Sequence, residues 1–175
     1  MKQRSRAGAV GVTAICLFLG LGASASPQTQ PSNPDAAQKG AAMTNHASGT
    51  FEVKLAPQTL ADPASALSRM SIDKQFHGDL EATSKGEMLS AMTEVKGSGV
   101  YVAVERVTGT LQGRSGTFLL HHTGIMTRGV PQLSVTVVPD SGTGQLAGLA
   151  GKMDIKIDDG KHSYTFDYTL AETTH

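Results

Sequence analysis

The chain is poor in everything that would anchor or cross-link it. Its one cysteine, Cys16, lies inside the first apolar stretch. An exported protein that sheds this stretch keeps no disulfide and no thiol nucleophile. A lipoprotein reading of Cys16 fails, because Ile15 stands before it where a small residue is required and cleavage there would bisect the apolar run. No stretch reaches the roughly 20 apolar residues of a membrane helix. Charge of one sign is also missing, with 15 basic against 15 acidic residues. Nothing here calls for nucleic acid or an anionic membrane surface as partner.

What is present first is an address. Lys2, Arg4 and Arg6 form a basic head, the run from Ala7 to Leu21 is apolar but short and glycine-bearing, and Ala23-Ser24-Ala25 offers small residues where a signal peptidase reads. Residues 1–25 are therefore expected to be a signal peptide, which sends the chain to the periplasm or the outside. Removing them takes away three basic residues and no acidic one, leaving a formal charge of −3 on 150 residues. Residues 26–44 hold Pro27, Pro31 and Pro34 among Gln, Ser, Asn and Ala, the composition of a disordered linker. Residues 45–171 are long enough for a single core, since one domain takes about 100–200 residues.

Period-2 alternation then runs through the rest of the chain. Phe51, Val53 and Leu55 share one face, as do Met70, Ile72, Lys74 and Phe76, with Lys74 breaking the apolar rule and expected at a rim. Residues 78–86 hold Gly78 and Gly86 around a polar middle and read as a bend or bulge, followed by a strand over about 86–94 that puts Met88, Ser90 and Met92 on one side. Next come two alternating runs across residues 98–126, linked at Gly113-Arg114. With Gln112 opposite Ser115, Glu105 faces His122 and Arg106 faces His121. Glu105 and His122 then share a face with Tyr101, Ala103, Val107, Phe118 and Leu120. The Arg128-Gly129 turn carries that face to Val135 and Val137.

Residues 139–151, PDSGTGQLAGLAG, do not fit the GxGxxG spacing and precede no helix, so they read as a tight loop closing one barrel end. The Asp159-Gly160 turn closes the last hairpin, placing Met153 against Phe166 and Ile155 against Tyr164 inside, and Lys152 against Asp167 outside. Eight strands with short links and no helical pattern give an all-β, eight-stranded antiparallel meander barrel.

Four segments, FHGDLEATS (76–84), ERVTGTLQGRSGTFLLHHTG (105–124), VVPDSGTGQLAGL (137–149) and GKHSYTFDYTL (160–170), resemble the domain-of-unknown-function 3224 family. The resemblance covers about residues 47–171. It implies a barrel similar to that of allene oxide cyclase, and the SGTGQLAGLAG loop is similar to the GTG loop of cyclases and dirigent proteins. The family brings no established activity, and no cyclase catalytic residue has a matching motif here. Relatives carry Gln where His121 stands, which makes His122 the family-like histidine.

Three functions fit these residues. The first is a binding module whose lumen takes a small apolar ligand, lined by Met88, Met92, Tyr101, Phe118, Val135, Tyr164, Phe166 and Tyr168, against the bland alternative of a simply packed core. The second is a cyclase- or isomerase-like enzyme with His122 as catalytic acid or base and Glu105 orienting it. Histidine titrates near neutral pH, as such chemistry needs. Its bland alternative is a buried pair that satisfies itself. The third is an assembly protein: if Glu105 and His122 point inward, Val102, Val104, Leu119 and Ile125 form an apolar outer stripe suited to a homo-oligomer, the alternative being that the barrel is inverted and this stripe is its lining, since both faces of the hairpin are apolar. No cofactor motif is present. No metal site is expected, since His121 and His122 face opposite ways, His77 and His162 belong to other hairpins, and His46 and His175 sit at the ends.

Overall fold

A computed structural model describes residues 43–60, 62 and 66–170; the expected signal peptide and nearly all of the expected linker lie outside the described residues. Eight strands follow one another: β1 (Asn45–Gln58), β2 (Leu67–Gly78), β3 (Leu80–Met92), β4 (Gly99–Leu111), β5 (Arg114–Thr127), β6 (Val130–Val137), β7 (Ala150–Asp158) and β8 (Lys161–Thr169). Each pairs antiparallel with the next and β8 returns to β1, so the sheet closes into a barrel. Closure leaves no free edge strand.

Three of the hairpins use one device. Gln112-Gly113, Arg128-Gly129 and Asp159-Gly160 all hold positive φ at both residues, the type I′ geometry whose twist matches the strands it joins. A β-carbon on any of these three glycines would meet nothing within 4 Å, so backbone conformation and not space selects glycine there.

This device corrects the expected link of the central hairpin. The turn is Gln112-Gly113, Leu111 pairs with Arg114, and the register moves by two residues. Glu105 lies opposite Leu120, His122 opposite Ala103, Arg106 opposite Leu119 and Val104 opposite His121. A shift of two preserves every face, because side chains alternate with period 2. The registers expected for β5–β6 and β7–β8 are the observed ones, with His122 against Val135, Met153 against Phe166 and Ile155 against Tyr164.

Residues 78–86 are also not a bend. Gly78, at φ 105°, and Asp79 turn the chain, and β3 then runs unbroken from Leu80. Gly86 stays in the strand because the Glu105 side chain of β4 occupies the space a β-carbon would need.

The two ends of the barrel differ. Around the β2–β3 and β4–β5 turns the interior is filled: Phe76, Leu80, Leu111, Phe118, Leu120 and Tyr168 are fully buried. The loop between β6 and β7 folds over this end through a short 3-10 turn, Gly144–Leu146, and inserts Leu146 and Leu149 at 1% exposure each. Thr143 N–H donates to the Thr117 carbonyl at 2.8 Å, Leu119 N–H to Ser141 Oγ at 3.0 Å, and Ser115 N–H to the Gln145 side chain at 2.9 Å, which ties the loop along β5.

At the opposite end, the β3–β4 and β5–β6 turns touch each other through Gly129 N–H to the Gly97 carbonyl, 2.9 Å. No such apolar plug fills the lumen there among the described residues. β6 and β7 pair at Val135–Met153 and Thr136–Lys152 and part beyond that toward the mouth.

Candidate functional site

The barrel interior carries a charged centre between these two ends. Glu105 points inward from β4, where alternation places it between Ala103 and Val107 on the core face. Because His122 sits two residues along the register from Glu105's partner Leu120, the pair meets diagonally, and Nε2 lies 2.8 Å from Glu105 Oε1. Lys74 of β2 donates from Nζ to the same oxygen at 2.6 Å, and Ser84 of β3 donates from Oγ to Oε2 at 2.6 Å. The lysine ammonium also rests over the rings of Phe51 and Phe76, 5.0 and 5.7 Å from their centroids. Four strands thus converge on one carboxylate, and the side chains of Glu105, His122 and Lys74 are 0%, 4% and 7% exposed.

Lys74 was expected at a rim, and the structure puts it in the centre. The physical reason is Glu105: a buried ammonium is tolerated only beside a counter-charge, and a carboxylate accepting three hydrogen bonds supplies one. Sequence alternation did place Lys74 on the face of Met70, Ile72 and Phe76, but Ser84 fell in the expected bend, and nothing in the pattern says that both reach the same carboxylate.

Burial by itself pushes the Glu105 carboxyl up. The His122 hydrogen bond, then the Lys74 charge, outweigh that and hold the carboxyl at about 2, below its usual 4.5. Glu105 is therefore a fixed anion. By accepting at Nε2 it orients the His122 ring and leaves Nδ1 turned away. That nitrogen has no hydrogen-bond partner among the described residues, and no fully buried side-chain N or O among them lacks one, so Nδ1 borders space that a water molecule can reach.

Toward the mouth the lumen opens into an apolar cavity of about 260 Å³. Met88, Met92, Tyr101, Met126 and Leu133 line it, with Ser90 directly across from Tyr101 on β3. Gly124 of β5 pairs with Tyr101, and a β-carbon there would overlap the tyrosine ring, so the glycine is the seat in which the ring lies. Burial, and then the Glu105 charge, push the Tyr101 phenol above its usual range. The cavity and the charged centre are thus neighbours, with Tyr101 two residues from Ala103 and four from Glu105 on one inward face.

The eight expected lumen residues separate into two groups. Met88, Met92 and Tyr101 line the cavity. Phe118, Val135, Tyr164, Phe166 and Tyr168 are 0–2% exposed and belong to the packed core, where Phe118 stacks on Phe166 and the Tyr168 hydroxyl donates to Gln112 Oε1 at 2.7 Å. The expected outer stripe is also divided. Val102, Val104 and Ile125 are exposed, whereas Leu119 is half-buried, with its backbone bonded to Val138 and Ser141. No group of three or more His, Cys, Asp or Glu side chains that could hold a metal occurs among the described residues.

No curated protein matches the chain. A crystal structure of a protein of unknown function from the DUF3224 family of Shewanella oneidensis MR-1 is similar at a TM-score of 0.71 and 48% identity, covering 75% of this chain and 100% of that one. The profile of that family, described as protein of unknown function, matches residues 47–168, from the third residue of β1 to the penultimate residue of β8. The chain belongs to the DUF3224 family.

Proposed function

We propose that this protein is an exported binding module that takes a small apolar ligand in the mouth half of its barrel. One observation carries the reading: inward-facing apolar side chains at that end stay uncovered around an apolar cavity, while at the other end Phe76, Leu80, Leu111, Phe118 and Tyr168 are packed to 0–1% exposure. Leaving Met92 at 66% exposed and Met126 at 42% forgoes hydrophobic stabilisation that the plugged end obtains. Methionine walls suit a ligand whose shape is not rigidly specified. Export rests on the basic head, the apolar run and Ala23-Ser24-Ala25.

Native mass spectrometry of gently purified protein tests the binding. A stoichiometric apolar adduct supports it, and a Ser90→Phe chain that still carries the adduct in equal amount refutes the mouth as its place. Mature protein beginning at Ser26 supports export, and protein with Met1 intact in the soluble cytosolic fraction refutes it.

The cyclase- or isomerase-like reading keeps one specific support, the partnerless Nδ1 of His122 held in place by Glu105. Turnover abolished by His122→Ala and retained by His121→Ala is its test.

A further inference from the structure

The cavity is apolar but not uniformly so. Two hydroxyls, Tyr101 and Ser90, stand opposite each other on β4 and β3 and both face it. Neither hydrogen-bonds to any described residue, although buried polar side chains elsewhere in this barrel all find partners. Gly124 reinforces the placement, because only glycine leaves room for the Tyr101 ring to lie against β5 at the cavity wall. No Asp, Glu, Lys, Arg or His lines the cavity.

Charge bookkeeping beneath the cavity narrows the ligand further. Lys74 is neutralised by Glu105 at 2.6 Å, so the lysine offers no free charge that an ionic ligand could pair with. Bringing an unpaired charge into this apolar space would be costly. The Tyr101 phenol stays protonated beside the Glu105 anion and is available as a donor. A hydroxyl that can donate and a serine that can do either match one ligand oxygen.

We infer that the ligand is an uncharged apolar molecule bearing a hydrogen-bonding oxygen, a ketone, alcohol or ester, which Tyr101 and Ser90 hold while the methionines cover its hydrocarbon part. This rests on the binding reading above and adds the ligand class and the two residues that select it. At about 260 Å³ the cavity lies just below the ~300–1,000 Å³ of most ligand pockets, so the ligand is small or leaves part of itself in the open mouth.

The test uses three probes of one chain length: 2-nonanone, n-nonane and nonanoate. Binding is read from the methyl resonances of Met88, Met92 and Met126 in methionine-labelled protein. 2-Nonanone is expected to bind more tightly than nonanoate at neutral pH. The paired change Tyr101→Phe with Ser90→Ala is expected to weaken 2-nonanone about 10-fold, the size of one or two modest hydrogen bonds, and to leave n-nonane unchanged. Both changes keep side-chain volume nearly constant, so the barrel itself is not at stake. Equal weakening of ketone and hydrocarbon, or nonanoate binding the tightest, overturns the ligand class while leaving lumen binding standing. Failure of all three probes to move any of the three methyls overturns lumen binding and the inference with it.

Discussion

The plugged end and the mouth are made from the same strands and the same alternation, yet one is packed as a core and the other keeps an open apolar cavity. At the plugged end, Leu146 and Leu149 of the β6–β7 loop join Leu111, Phe118 and Tyr168 in one buried cluster, each 0–1% exposed. At the mouth, the β3–β4, β5–β6 and β7–β8 connections are two-residue turns or a short polar link, and none of these three inserts a buried apolar side chain as the β6–β7 loop does at the other end. Met92, Met126 and Leu133 therefore stay at 66%, 42% and 39% exposure. The lesson is that alternation decides which way a side chain points, whereas loop length decides whether anything meets it.

The charged centre between the two halves should show the largest effect. Glu105→Gln leaves the Lys74 ammonium buried without a counter-charge, and a loss of about 3–5 kcal/mol in urea unfolding is expected. A loss below about 1 kcal/mol would mean that water already reaches the centre and that the two halves are not sealed from each other. Next in size is Leu146→Ala in the plug, where removing a 1%-exposed side chain from a close-packed site should cost about 2–5 kcal/mol.

Acid acts on the same comparison through Glu105. Its carboxyl titrates at about 2 in the folded protein against 4.5 ordinarily, so its contribution is fully present above pH 4.5 and is lost as pH falls through 2. A shift of that size is worth about 3 kcal/mol. The acid-induced part of unfolding in this window should vanish in Glu105→Gln, measured by circular dichroism at graded pH. Persistence of the same acid slope in the variant would assign the loss to surface carboxylates instead.

The mouth should respond least. Met92→Ala removes a side chain that is two-thirds exposed, and its effect on unfolding should stay within about 0.5 kcal/mol. Gly124→Ala is the sharper probe there, since the new methyl must push the Tyr101 ring from its seat, at about 1–3 kcal/mol by overpacking. If Met92→Ala were to cost as much as Leu146→Ala, the mouth would be a core after all.

Much of this was legible along the chain. Hydrophobic alternation identified the strands except the first half of β3, and X-Gly pairs fixed two of the three hairpin registers. The third was misplaced by two residues, because Gly113 was read as the first turn residue; by analogy with Arg128-Gly129 and Asp159-Gly160 it is the second. The error did not disturb the Glu105–His122 pairing, since a shift by two keeps both residues inward and diagonal neighbours remain within reach of long side chains. The centre's other two members were not read as a site. Lys74 and Ser84 approach Glu105 across 31 and 21 residues of sequence, and no local pattern encodes a contact of that span.

By itself the sequence determined most of the strand positions, which residues share a face, and the closing of the meander, because these follow from the period-2 geometry of a strand and the φ preferences of its turns; which face of the central hairpin points inward was left to the structure. Only the tertiary structure decided how the inward residues are used. The pairing of four successive strands brings Lys74, Ser84 and His122 to the Glu105 carboxylate, and the reach of one loop fills one end while leaving Tyr101 and Ser90 facing open space at the other. Both outcomes depend on side-chain and loop positions inside the barrel, which a one-dimensional pattern does not contain.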